Sequence, residues 1–105
     1  MIGCEQTEPP VYELPAHSAP LGATFDGSGN LIIALHGSWN SSTLVGYKVI
    51  KLTTFAGGVS GVSDYISGFV TNKDTILGRP VGVVFDKDGR LFISDDKSGL
   101  IYVLY

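Results

Sequence analysis

Cysteine is all but missing from this chain. Cys4 is its one thiol, so no internal disulfide can hold the fold together. Cations are scarce as well: seven Lys and Arg stand against ten Asp and Glu, a net charge of −3. That balance offers no basic footprint for nucleic acid or an anionic membrane. No stretch approaches the ~18 consecutive apolar residues of a membrane-spanning helix. Residues 1–6 carry no apolar run of signal-peptide length, so neither membrane insertion nor a leader is expected of the chain as given. Charged residues make up only 16% while hydrophobic ones reach 44%, the reverse of the balance that produces disorder. Long stretches free of helix breakers are also lacking. Fourteen Gly and five Pro interrupt the apolar runs, which excludes a helical bundle or coiled coil.

What remains is a single domain's worth of short strand candidates. Residues 1–16 read as a tail or linker, with Pro9, Pro10 and Pro15 discouraging helix. Residues 17–105 hold the strands. Runs 21–25 and 31–35 flank the glycine-containing hairpin loop 26–30; 46–52 reads as a third strand and 62–69 as a weaker fourth. The pattern then restarts with 81–85, a turn at 86–90, 91–94 and finally 100–105.

The restart is an internal repeat. Residues 20–34 align without gaps on residues 80–94, with seven of fifteen positions identical: one Pro, two Gly, Phe, Asp, Leu and Ile. Hairpins repeated at a spacing of 60 residues suggest stacked small sheets. The runs 31–35 and 101–105 are apolar throughout, and such strands want cover on both faces. A propeller blade stacked between two others supplies it. The expected fold is therefore all-β, about two four-stranded blades of a six-bladed β-propeller. Two blades do not close a ring, so the chain is expected either to continue in a longer protein or to complete itself with other copies. Three copies would make six blades.

Several segments stand apart from this scaffold. In order they are HSAPLG at 17–22, ALHGSWN at 34–40, GYKV at 46–49, GRPVGV at 78–83, and Ser94-Asp95-Asp96 followed by Gly99, Ile101 and Tyr102. The ordered set resembles the C-terminal part of the glucose/sorbosone dehydrogenase family, sugar dehydrogenases that depend on pyrroloquinoline quinone (PQQ). The resemblance runs from about Pro10 to Tyr105. It implies a pocket at one end of a propeller channel, where PQQ and a calcium ion oxidise a sugar hydroxyl or aldehyde by hydride transfer to the quinone. It also implies a periplasmic or secreted location.

PQQ carries carboxylates and an electron-poor quinone, so its site needs cations and donors. Arg79 suits a carboxylate through its planar fork. His36 falls where related members place a basic cofactor contact; Trp39 offers a stacking face, and Asn40 a donor and an acceptor. Asp95 or Asp96 can accept from a sugar hydroxyl or orient Arg79, and His17 falls at the pocket edge. Plainer roles exist for each. His17 suits a solvent-facing or capping position, His36 a loop and Trp39 the core. Arg79 can serve as an ion-pair partner of Asp74. Residues 86–89 mimic the start of a calcium loop but lack its distal bidentate Glu, so a hairpin turn is expected there. The general-base histidine and calcium-binding carbonyls of the family belong to earlier blades, and neither His17 nor His36 matches that base. These residues alone are therefore expected to furnish part of a cofactor wall rather than the whole reaction. There is no nucleophile elbow, phosphate loop or metal-spaced His/Cys set.

Overall fold

The computed structural model describes residues 12–38, 44–55, 58–71 and 75–105. Every regular element among them is a strand. Strands β1 (Pro20–Phe25), β2 (Leu31–Leu35), β3 (Lys48–Phe55) and β4 (Gly58–Ile66) form one antiparallel sheet in that order. Strands β5 (Pro80–Phe85), β6 (Leu91–Asp95) and β7 (Leu100–Leu104) form a second. The four-stranded sheet expected first is present, but the second sheet has three strands among the described residues, not four. Only Tyr105 follows β7 in this sequence.

The repeat builds the same hairpin twice. In the first, Asp26 Oδ1 accepts the N–H groups of Ser28 and Asn30 at 2.8 and 2.9 Å, and Gly29 takes φ 84°. In the second, Asp86 Oδ1 accepts from Asp88 and Arg90, both at 2.9 Å, with Gly89 again at φ 84°. An aspartate that bonds its own following backbone closes such turns, and glycine supplies the left-handed residue. The calcium-loop lookalike is thus a hairpin turn, as expected. Both hairpins also carry a register shift at the start, between Pro20 and Ala23 and between Pro80 and Val83.

The third strand starts later than its apolar run suggests. Gly46 has φ 91° and Tyr47 φ 57°, so extended backbone cannot begin before Lys48. The fourth strand runs over Gly58–Ile66 rather than 62–69, beginning earlier than its apolar run and ending ahead of Gly68 at φ 100°.

Burial follows the alternation of a strand. Ile32, Ala34 and Val49 face the second sheet and pack with Val83, Leu91 and Ile93. Ile33, Leu35, Ile50 and Leu52 line the opposite face of the first sheet, where Leu14 of the tail and Val59 pack on them. The sheets meet most closely at β1 and β5. A Cβ on Gly22 would stand 2.8 Å from the Cα of Gly82, its own counterpart in the repeat, so only a glycine permits the approach there. Further along, an apolar cavity of about 370 Å³ opens between the sheets, lined by residues that include Ile66, Phe69, Leu77 and Tyr102. Two sheets closed at one strand pair and splayed at the other form a wedge, the shape of adjacent blades.

Candidate functional site

The closed side of the wedge gathers the residues singled out by sequence. His36 directly follows β2, Arg79 directly precedes β5, Asp95 ends β6 and Asp96 follows it. His36 Nε2 lies 2.8 Å from Asp96 Oδ1, and as the carboxylate can only accept, the imidazole donates. These two residues are 60 positions apart, the spacing of the repeat, so equivalent corners of the two sheets meet through them. Asp96 is exposed, while His36 is half-buried beneath it.

Arg79 crosses in the other direction. Its Nε–H donates to the His36 carbonyl at 3.1 Å and its Nη2 to the Gly37 carbonyl at 2.9 Å. Its Cζ stands 5.5 Å from the ring centroid of Tyr47, within reach of a cation–π attraction. Two carbonyls and a ring therefore fix the guanidinium plane across the sheet interface.

Behind it sits Asp95, only 3% exposed. Its Oδ1 accepts the backbone N–H groups of Arg79 (3.0 Å), Lys97 (3.0 Å) and Ser98 (3.1 Å), and Tyr102 donates its hydroxyl to Oδ2 at 2.9 Å. Burial alone would raise this carboxyl's pKa. The bonds from Arg79, Ser98, Tyr102 and Lys97 outweigh it and hold the group below the usual carboxylate range. Asp95 is thus a charged knot that ties the Arg79 backbone to the β6–β7 turn. Gly78 is required beside it, since a Cβ there would collide with the Asp95 carboxylate and with Phe69.

Backbone bonds also hold the 36–38 segment. His36 N–H donates to the Ala19 carbonyl (2.9 Å), Gly37 N–H to Ser18 (3.0 Å) and Ser38 N–H to Val45 (2.8 Å). His17, adjacent to Ser18, is exposed and left-handed at φ 67°. Trp39 and Asn40 lie outside the described residues, as does Asp74, the alternative partner considered for Arg79. Of the seven residues that sequence reasoning brought forward, the fold brings four together: His36, Arg79, Asp95 and Asp96. Sequence reasoning missed Tyr47. That residue lies inside the GYKV motif, but its backbone conformation and burial have no sequence signature.

Among the described residues no group of three or more His, Cys, Asp or Glu is placed to hold a metal ion. At this corner a guanidinium and an imidazole lie between two carboxylates, one buried and one exposed.

Comparisons with known proteins agree with this architecture. The chain is 36% identical over 107 residues to an uncharacterized protein of Borreliella burgdorferi, covering 92% of this chain and 28% of that one. It is 34% identical over 117 residues to a pyrroloquinoline quinone-dependent pyranose dehydrogenase of Coprinopsis cinerea, covering 90% of this chain and 16% of the relative. Among solved structures, a Trichoderma reesei enzyme of Carbohydrate-Active Enzymes Family AA12 superposes with a TM-score of 0.68 at 30% identity, covering 86% of this chain and 25% of that one. The holo form of the pyranose dehydrogenase PQQ domain from Coprinopsis cinerea gives 0.63 at 35% identity, covering 86% of this chain and 27% of that one. This chain spans between 16% and 28% of the length of these proteins. The family model for TrAA12-like proteins matches residues 3–105, and the chain belongs to that family.

Proposed function

We propose that this chain is the cofactor-facing C-terminal portion of a PQQ-dependent sugar dehydrogenase, built as two blades of a six-bladed propeller. Residues 17–105 make the blade unit, and residues 1–16 are a linker whose Leu14 seats on the first blade. The observation that carries the reading is the convergence of His36, Arg79, Asp95 and Asp96 across the sheet interface. Support comes from the TrAA12-like family and from relatives described as PQQ-dependent pyranose dehydrogenases. That support favours a pyranose as substrate over the narrower glucose or sorbosone that the motifs resemble.

The donor set suits PQQ. A cofactor with several carboxylates needs a fixed cation and neutral donors. Arg79 arrives with its plane already held by two carbonyls, and His36 presents an imidazole oriented by Asp96. In this reading Arg79 and His36 hold the cofactor, with Trp39 and Asn40 beside them, and Asp96 and His17 stand at the pocket edge. Asp95 keeps the Arg79 backbone in place. When bound, PQQ supplies the hydride acceptor for sugar oxidation. Calcium needs six to eight oxygen ligands, and these would come from other blades, as would the general base. A periplasmic or secreted location belongs to the same reading.

The test places this segment in a complete propeller and compares Arg79→Ala with the parent by dye-linked pyranose oxidation and by PQQ titration. Loss of a charge-assisted, bidentate-capable contact is expected to weaken PQQ at least about tenfold. Unchanged activity together with unchanged PQQ affinity would remove the argument. One observation favours a second reading, a non-catalytic propeller module that self-associates or binds a protein. Val84 and Ile101 leave an apolar face open, at 57% and 74% exposure. A chain that associates but takes up no PQQ, alone or with calcium, would select that alternative.

A further inference from the structure

The reading of Arg79 as an anion-holding group leaves open what holds Arg79. We propose that Tyr47 is its positioning residue: the buried ring is a platform that sets the guanidinium plane and, through it, affinity for a carboxylate ligand. The second half of this statement rests on the function proposed above; the first half does not.

Four observations converge on the ring. Tyr47 is buried, at 3% exposure. It nevertheless sits in the left-handed region at φ 57°, which is costly for a bulky residue and persists only where the surroundings enforce it. The enforcement comes from two glycines that shape its slot. A Cβ on Gly37 (φ 102°) would stand 2.7 Å from three ring atoms, and one on Gly46 (φ 91°) would stand 2.8 Å from the Cα of Gly37. The far end of the ring is tied as well, since the Tyr47 hydroxyl donates to the Ser38 carbonyl.

Arg79 completes the unit. Its Cζ lies 5.5 Å from the ring centroid, while its Nε and Nη2 reach the carbonyls of His36 and Gly37, the two residues just before Ser38. Ring, guanidinium and the 36–38 backbone thus form one packed body. With its hydroxyl tied and its ring covered, Tyr47 has no direct route to a ligand. It acts through Arg79.

The chain contains only two arginines, Arg79 and Arg90, which makes the test tractable. In the 105-residue chain, the Arg79 Nε–H resonance is assigned by its survival in Arg90→Lys. It is expected to be displaced upfield by the Tyr47 ring current and slow to exchange with water. Tyr47→Leu should abolish the displacement, and Tyr47→Phe, which keeps the ring, should restore it. In parallel, with this segment placed in a complete propeller, PQQ is titrated by its absorbance. Its Kd is expected to rise about tenfold in Tyr47→Leu, the size of a desolvated cation–π contact, and to recover in Tyr47→Phe.

An undisplaced, fast-exchanging Arg79 signal in the unmutated chain overturns the proposal without any need for the Leu variant to fold. So does a Leu variant whose Arg79 signal matches the parent. A displaced signal that moves in Tyr47→Leu, together with a complete propeller carrying this segment that takes up no PQQ, upholds the positioning role and rejects the cofactor reading alone.

Discussion

At the scale of single residues, Asp95 shows how a candidate ligand-binding carboxylate becomes structural. Its oxygens receive three backbone N–H groups and one hydroxyl, an arrangement that stabilises the charged form. Because its pKa is depressed in the folded state, its contribution is fully present above the unfolded value and is lost as pH falls through the folded one. Asp95→Asn keeps one acceptor but loses the charge and sets an amide against buried donors. It is expected to cost about 1–3 kcal/mol at neutral pH. The gap from the parent should narrow once pH drops below about 4, where the carboxyl protonates in the unfolded chain while the folded group, its pKa depressed, still holds its charge. Urea unfolding at several pH values checks this; a gap that is constant from neutral pH to pH ~3 would show that charge plays no part. Residue-scale chemistry was partly legible. Arg79, His36, Asp95 and Asp96 are polar residues in ordered motifs, and motifs are visible in one dimension. Their partners were not. Tyr47 earns its place through a left-handed backbone and two flanking glycine slots, neither of which has a letter of its own in a sequence.

Among the elements, the repeat decided what could be read. Strands β1, β2, β5 and β6 were legible nearly to the residue because each hairpin has a copy that marks its turn. Strands β3 and β4 have no copy; the start of β3 follows from the positive φ angles of Gly46 and Tyr47, and the end of β4 from that of Gly68. The aligned block also stops at Ala34 and Ser94, two residues short of His36 and Asp96. The contact between these equivalent positions was thus implicit in the spacing but fell outside the recognisable repeat. The same logic gives a test at this scale. Gly22 and Gly82 are copies, yet their surroundings differ. Gly22 packs against the β5 backbone, whereas a Cβ on Gly82 would meet only the Ser94 hydroxyl, at 3.0 Å. Gly22→Ala must push two backbones apart and is expected to cost about 1–3 kcal/mol. Gly82→Ala should cost clearly less, because a side-chain tip can yield. Paired urea denaturation curves measure both. Equal losses would mean that the tight β1–β5 approach does not hold the sheets together.

For the whole molecule, the same glycine pair describes an unfinished stack. The first sheet uses Gly22 to receive the second, and the second presents Gly82 on its far side beside a groove of Val84, Phe92, Ser94 and Ile101. The radius of gyration is 14.7 Å, above the about 13 Å usual for a compact chain of ~100 residues, as expected of two sheets lacking further neighbours. Val84 and Ile101 are 57% and 74% exposed, and each large aliphatic side chain left in water forgoes about 1.5–3 kcal/mol of burial. A contiguous apolar face of this kind marks an interaction surface, and under the proposed function its occupant is another blade. The isolated 11.1 kDa chain is therefore expected to sediment above its monomer mass, increasingly so with concentration, and a closed ring of three copies would give a discrete species. Placing charges on the face with Val84→Glu and Ile101→Lys should return it toward the monomer, since an ion buried between apolar sheets is strongly disfavoured. Fusing an additional blade after Tyr105 should have the same effect by covering the face. Analytical ultracentrifugation of the three forms distinguishes these outcomes. An unmutated chain that stays monomeric at high concentration, with Val84 and Ile101 protected from solvent, would show that the two sheets satisfy each other and need no neighbouring blade.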